Sequence, residues 1–268
     1  MAENTLIEIA RVAGSFGVRG EVRVTAYSED PLALIAVNAP QSVQLYHDDA
    51  LLRLPQLDDG SIALVIADPP YNVTEHAWDK IGGEPEYLDF TRAWLAALKP
   101  KLAQDYHLYI FCSPHYAAPV EMLLRVDGWP LKSRIVWSHR NLSMGRDASD
   151  KYITMWEMCF HIGTHPLNHS PVWDDERFEV KEVAAPQSNF YEGKHHPTAK
   201  PVDLIRQFVR HGSKPGDVVL DPFAGGGTTG AACAEEGQRR CILIETEAAY
   251  CDVISKRLGL GDVLKLCA

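Results

Sequence analysis

The sequence predicts an α/β fold built on an open, doubly wound sheet, and three features carry that expectation. From Gln44 onward, short apolar or β-branched runs alternate with stretches of helical period, the rhythm of repeated strand–helix crossovers. The run Ile62–Ala67 is apolar at every position, as in a strand covered on both faces of a parallel sheet. The glycine-rich segment Asp221-Pro-Phe-Ala-Gly-Gly-Gly-Thr-Thr229 stands between a strand pattern and a helix pattern, where open α/β sheets bind ligands.

The elements follow in chain order. Residues 7–26 form two β-branched runs around a turn punctuated by Gly14, Gly17 and Gly20, the pattern of a hairpin. After the strand at Ile62–Ala67, Phe90, Trp94 and Leu98 recur at i, i+4 and i+8, a helical stripe that Pro100 ends. A strand at Leu108–Cys112, a helix near Ala117–Val126, and strands at Arg134–Trp137 and Met155–His161 come next. Pro201 opens a helix with Val202, Ile205, Phe208 and Val209 on one face. The strand Asp217–Leu220, the glycine loop, the helix Thr228–Glu236, the strand Cys241–Glu245 and a helix Tyr250–Leu258 complete the series. Between His139 and His195 the rhythm is broken by Gly145, Ser149, Pro166, Asn168, Pro171, Pro186 and Ser188. So long an irregular excursion in an α/β domain is a natural place for substrate recognition.

Composition narrows the function classes. With 268 residues, 46% of them hydrophobic, the chain can bury the core of one large domain or of a domain with a small attachment. No run approaches the ~18–20 apolar residues of a membrane helix. Glu3 and Glu8 stand where a signal peptide would be basic and then apolar, so a soluble, cytoplasmic protein is expected, with no membrane partner. The six cysteines (Cys112, Cys159, Cys233, Cys241, Cys251 and Cys267) lack C-x-x-C spacing. They signal neither a zinc site nor a disulfide framework, so no metal is expected, and they read as small buried hydrophobes. None of the eleven histidines falls in an H-E-x-x-H arrangement. A formal charge of −10 means that any nucleic-acid surface must be a local patch, because phosphates are held by Lys and Arg.

Two motifs carry chemistry. In the glycine loop, Gly225, Gly226 and Gly227 let a ligand approach backbone N–H groups at a helix N-terminus. About twenty residues on, Glu245 ends the next strand, where an acid in nucleotide-type folds accepts hydrogen bonds from ribose hydroxyls. The second motif, Asp68-Pro69-Pro70-Tyr71, directly follows the strand Ile62–Ala67. Its prolines lack N–H donors and fix φ, so their carbonyls and the Asp68 carboxylate are rigid acceptors suited to an exocyclic amino group. Tyr71 adds an aromatic surface for a base taken out of its stack. A glycine turn without a ligand and a Pro-rich strand cap would look alike if each motif stood alone.

Together these motifs resemble the β-class DNA amino-methyltransferases, in which D-P-P-Y precedes the cofactor motif. The resemblance spans roughly Val43 to Leu258. It includes His196-Pro-Thr-Ala-Lys-Pro201, Trp78-Asp79 and Trp156-Glu157. It implies a Rossmann-like, S-adenosylmethionine-dependent methyltransferase fold with permuted motif order. It also implies a site-specific enzyme on double-stranded DNA that methylates adenine N6, with cytosine N4 as the alternative. On this resemblance Asp68, Pro69, Pro70 and Tyr71 bind the base. Asp221, Pro222, Phe223, Ala224, Gly225, Gly226, Gly227, Thr228 and Thr229, with Thr198 and Lys200, surround the methionine end of the cofactor. Glu245 holds the ribose, and Asp49 lies near the adenine. Leu243, Ala248 and Ala199 depart from the residues usual at their positions. In the excursion, Arg140, Arg146, Lys151 and Lys194 are the expected phosphate contacts. A second copy of the chain and a cognate restriction endonuclease are further partners the resemblance admits.

The start of the chain points elsewhere. From Ile7 to about Leu34 it resembles the opening of the ribosome maturation factor RimM, in A-G-S-F-G-V-R-G-E-V-R-V followed by S-E-D-P-L. The expected organisation is therefore a hairpin appendage over residues 1–36 and a methyltransferase domain over 37–268, with a target-recognition insert around 139–195. A non-catalytic RNA-binding or ribosome-assembly protein is the competing reading, and an RNA substrate is a third. A lone hairpin is marginal in water, which favours the enzyme.

Overall fold

The computed structural model describes residues 10–16, 21–26, 42–72, 79–139, 152–170, 176–186 and 199–260. The chain divides between Ala39 and Pro40 into two compact units. In the first, β1 (Ala10–Phe16) and β2 (Glu21–Ala26) pair antiparallel, with a register shift between Val12 and Gly14.

The second unit runs β3 (Ser42–His47), α1 (Ala50–Arg53), β4 (Ile62–Ala67), α2 (Glu84–Leu98), β5 (Leu102–Cys112), α3 (Ala117–Val126) and β6 (Leu131–Ser138). It continues with β7 (Trp156–Gly163), β8 (Val180–Glu182), α4 (Val202–Gly212), β9 (Val218–Asp221), α5 (Thr228–Glu236), β10 (Arg240–Glu245) and α6 (Ala248–Leu258). Its strands make an eight-stranded sheet in the order β3-β10-β9-β4-β5-β7-β6-β8. From β3 through β5 all neighbours are parallel. The sheet is mixed rather than purely parallel, because β7 runs antiparallel to both β5 and β6.

Side-chain alternation along the strands explains the two-sided packing. Val65 of β4 and Leu108 and Ile110 of β5 join Trp94, Leu95, Leu98, Leu123 and Leu124 of α2 and α3 in one core. Leu64, Ile66, Tyr109 and Phe111 face the other way, onto Ile205, Phe208 and Val209 of α4 and Cys233 of α5. The expected α/β fold therefore holds, with helices on both faces.

Several elements differ from the sequence expectation. The helix α2 starts at Glu84, well before Phe90, with Glu84 and Glu86 in its first turn, where acids favour the positive end of the helix dipole. Its buried stripe is Tyr87, Thr91, Trp94, Leu95 and Leu98, of which Thr91 is polar. The strand β5 begins at Leu102, six residues before the expected start, and its early residues Gln104 and Asp105 are exposed, so an apolar pattern does not reveal them. The strands β3 and β8 have no counterpart among the expected elements. Of the cysteines, Cys112, Cys159, Cys233 and Cys241 are buried and Cys251 is partly so, all free thiols. Among the described residues no helix is long and apolar enough to cross a membrane, and no group of three His, Cys, Asp or Glu side chains could hold a metal ion.

Candidate active site

The strand order puts acids from separate parts of the chain along one edge of the sheet. Glu245 is the last residue of β10, Asp221 the last of β9, and Asp68 follows the last residue of β4. These three strands are adjacent and parallel, so all three acids stand at their C-terminal ends. Asp49 follows β3 beside them. The antiparallel β7 brings its starting residues to the same edge, since Met158 pairs with Cys112 at the end of β5. Asp49, Asp68, Tyr71, Glu157, Asp221 and Glu245 line one cavity of about 500 Å³, within the range of small-molecule sites.

On the β4 side, Asp79 builds the turn that presents Tyr71. Its buried Oδ1 accepts the Tyr71 N–H at 2.5 Å and the Asn72 N–H at 3.0 Å. Asn72 sits at φ +55°, a left-handed conformation that Asn tolerates better than most residues. Its side-chain oxygen accepts the Ile81 N–H at 2.9 Å and its amide donates to the Gly82 carbonyl at 2.6 Å.

The charged centre is a trio. The buried Lys200 donates to Asp68 Oδ2 at 2.6 Å and lies 3.3 Å from Glu157 Oε2. The Tyr71 hydroxyl donates to that same Glu157 oxygen at 2.7 Å. The ammonium is 5.1 Å from the Tyr71 ring centre and 5.0 Å from that of Phe111, in reach of cation–π attraction. Burial opposes its charge, yet the two carboxylates outweigh burial and hold Lys200 above its usual range. Burial raises the Asp68 carboxyl, with Lys200 pulling the other way. Burial, then the Asp68 and Glu157 charges, keep Tyr71 a neutral phenol. Asp68 Oδ1 is buried without a hydrogen-bond partner among the described residues. His139 Nε2 lies 3.8 Å from Glu157 Oε1.

On the β9 side, Asp221 closes the glycine loop upon itself. Its Oδ1 accepts the Phe223 N–H at 3.0 Å and its Oδ2 accepts the Thr229 hydroxyl at 2.5 Å. Burial pushes the Asp221 carboxyl up to about 7. Gly225 at φ +51° and Gly227 at φ +75° adopt left-handed turns that favour glycine. The Gly225 N–H donates to Glu245 Oε2 at 2.7 Å, and Glu245 Oε1 accepts the Glu247 N–H at 2.8 Å. Burial raises the Glu245 carboxyl against those hydrogen bonds. Pro222, Ala224, Gly226 and Thr228 line the same cavity. The Phe223 ring meets Trp94 edge-on at 5.5 Å. Asp49 caps α1, accepting the Leu51 N–H at 2.7 Å.

The structure thus gathers Asp49, Asp68 through Tyr71, Asp221 through Gly226, Thr228, Thr229 and Glu245 around one cavity. Lys200 is also there, but its ammonium is bonded to Asp68 and Glu157, on the side of the Asp-Pro-Pro-Tyr motif. Thr198, Arg140, Arg146, Lys151 and Lys194 lie outside the described residues. Two acids to which the sequence alone assigned no role, Asp79 and Glu157, prove central to the geometry. Their signals were the dipeptides Trp78-Asp79 and Trp156-Glu157, which mark the residues without saying what they touch.

A sheet covered on both faces, with two loops leaving adjacent parallel strands around one cavity and acids at the strand ends, is the architecture of Rossmann-like α/β enzymes. The family model for N6/N4 DNA methylases matches residues 62–256. The chain belongs to this family, the S-adenosylmethionine-dependent DNA amino-methyltransferases. It is 28% identical over 244 residues to Type II methyltransferase M2.LlaDCHI of Lactococcus lactis subsp. cremoris, covering 81% of this chain and 89% of that one. It is 29% identical over 252 residues to DNA adenine methyltransferase YhdJ of Escherichia coli (strain K12), covering 81% and 83%. Among solved structures, the M1.HpyAVI–SAM complex superposes with a TM-score of 0.63 at 27% identity, covering 81% of this chain and 98% of that one.

Proposed function

We propose that this protein transfers the methyl group of S-adenosylmethionine to N6 of an adenine flipped out of double-stranded DNA. The observation that carries this reading is the shared cavity. Asp68, with one carboxylate oxygen lacking a partner among the described residues, and the glycine loop ending in Thr229 line the same cavity from neighbouring strands. The relative named a DNA adenine methyltransferase supports adenine as the base.

The residues suit the cofactor. Left-handed Gly225 keeps the loop free of side-chain bulk beside the cavity, and the acids Glu245 and Asp49 border the same space as acceptors for ribose and adenine. Each Glu245 oxygen accepts one backbone N–H, which leaves lone pairs for ribose hydroxyls.

Bound S-adenosylmethionine supplies an electrophilic methyl group on a cationic sulfur. The protein's task is positioning and electrostatics. Asp68 and the Pro69 carbonyl accept the two amino N–H bonds of the base and draw them into a geometry that localises the nitrogen lone pair. Tyr71, held by Glu157 through its hydroxyl and by Asp79 through its N–H, stacks on the base. Asp68, its carboxyl raised by burial, is suited to take the proton that the nitrogen sheds. No protein nucleophile is needed.

In this reading residues 37–268 are the catalytic part and residues 1–36 are an accessory segment; within 139–195, β7 and β8 belong to the core sheet, and the stretches around them read the DNA. The first of these stretches joins the end of β6 to the start of β7 at the site edge, where the His139 N–H donates to the Met155 carbonyl at 3.0 Å. The relative named a Type II methyltransferase supports a cognate endonuclease as a partner, and a second copy of this chain remains a proposed one. Incubating the purified protein with methyl-labelled S-adenosylmethionine and duplex DNA tests the proposal. Label should enter DNA, and label entering only RNA would overturn the substrate.

A further inference from the structure

We propose that Glu157 is a positioning residue that sets the charge of the site: by offsetting the Lys200 ammonium, it leaves the charge of Asp68 available to the reacting nitrogen. This inference rests on the proposed function for the reaction, though not for its test. The buried Lys200 bridges the partly exposed Asp68 and Glu157 in one chain of contacts, at 2.6 Å and 3.3 Å from the lysine nitrogen. Two carboxylates and one ammonium leave a formal surplus of one negative charge.

Methyl transfer moves a positive charge from sulfur to the amino nitrogen, so a nearby negative charge assists it. With Lys200 and Asp68 alone, that charge would be cancelled by a cation bonded to the very carboxylate that must meet the nitrogen. Attraction and repulsion among these groups are stronger here than in water, because burial lowers the local dielectric. Glu157 reaches the site only because β7 is inserted antiparallel, pairing Glu157 with Trp137 near the end of β6. The Tyr71 hydroxyl and His139 also face its carboxylate, at 2.7 and 3.8 Å. Phe111 and Trp137 complete the walls around Lys200, with ring centres 5.0 and 5.9 Å from its nitrogen. None of these neighbours is an acid; Asp221 and Glu245 line the same cavity from β9 and β10 and do not contact the Lys200 ammonium in an ion pair.

The same surplus should favour the cationic S-adenosylmethionine over the neutral thioether product, S-adenosylhomocysteine. The experiment measures both dissociation constants by calorimetry, and kcat on duplex DNA, for the parent, Glu157→Gln, Lys200→Met and the double variant Glu157→Gln/Lys200→Met. Glutamine keeps the shape and an acceptor for the Tyr71 hydroxyl while removing the charge. Glu157→Gln should lower the preference for the cationic ligand about ten-fold and kcat on the order of a hundred-fold. Removing the cation that then cancels the Asp68 charge should recover at least about ten-fold in kcat and most of the ligand preference.

An unchanged preference in Glu157→Gln, or losses that simply add in the double variant, would overturn the proposal. If Glu157→Gln does not fold, the double variant decides alone: folded with near-parental preference it supports the role, and folded with a reduced preference it refutes it. A parent that binds the cofactor yet leaves DNA unmethylated would contradict the proposed function, while the ligand preference would still decide the role of Glu157.

Discussion

Lys200 holds one oxygen of Asp68 at 2.6 Å, while the other oxygen is buried without a hydrogen-bond partner among the described residues. An unpaired buried acceptor costs about 1–3 kcal/mol, so the fold retains Asp68 at a cost in stability that a donor from a ligand would relieve. The first prediction follows from that division of roles. Asp68→Ala should lower methyl transfer by at least about a hundred-fold while leaving affinity for S-adenosylmethionine within a few-fold, as read by single-turnover kinetics and calorimetry. Equal loss of both would place Asp68 on the cofactor rather than the base.

Gly225→Val should remove cofactor binding. Gly225 has φ +51° and its N–H holds Glu245 at 2.7 Å. A β-branched residue there costs on the order of 1–3 kcal/mol in backbone strain and adds bulk beside the cavity. Calorimetry on the variant, with a melting curve to show that it is folded, checks this, and normal affinity would contradict the loop assignment.

Asp221 gives a pH signature. Burial pushes its carboxyl from 3.8 up to about 7 in the folded protein. Between these values the folded state holds a proton that the unfolded state has released, so the contribution of Asp221 to stability declines as pH rises from about 4 to about 7. Asp221→Asn cannot ionise. Its stability relative to the parent should therefore improve across that window, by about 1–4 kcal/mol. Urea unfolding of both proteins at several pH values measures the difference, and a difference that stays flat would contradict a buried, raised Asp221.

The excursion supplies a salt-dependence test. If Arg140, Arg146, Lys151 and Lys194 contact phosphates, neutralising each one should reduce the slope of log affinity against log salt by about one. Binding titrations of duplex DNA at several salt concentrations give the slopes. An unaltered slope assigns that residue to the solvated surface instead.

The legible parts of the site were those where local chemistry and local pattern coincide. The unbroken apolar run Ile62–Ala67 fixed the end of β4, and two prolines with a tyrosine after an acid had few other uses there. The glycine loop was equally plain, since a strand end, three glycines and a helix start lie within a dozen or so residues. The resemblance implies Lys200 at the methionine end of the cofactor, and it lines the cavity; that its ammonium also lies between Asp68 and Glu157 is set by tertiary packing, which spacing does not reveal. Glu157 was less legible still, because its place depends on β7 pairing antiparallel between β5 and β6. That arrangement is a non-local choice, which strand propensity does not encode. The early turns of α2 are faint in the sequence because polar Thr91 supplies part of the buried face there and acids fill the first turn.

The central claim is amino-methylation of adenine in DNA, and the modified nucleosides of a host lacking its own DNA methylases test it most directly. The DNA of such a host expressing this protein is digested to nucleosides and separated by chromatography with mass detection, beside a host expressing Asp68→Ala. The account predicts N6-methyladenine in the first host and none in the second. N4-methylcytosine without N6-methyladenine would contradict the base assignment, and no methylated base from folded, cofactor-binding protein would contradict the proposed function itself.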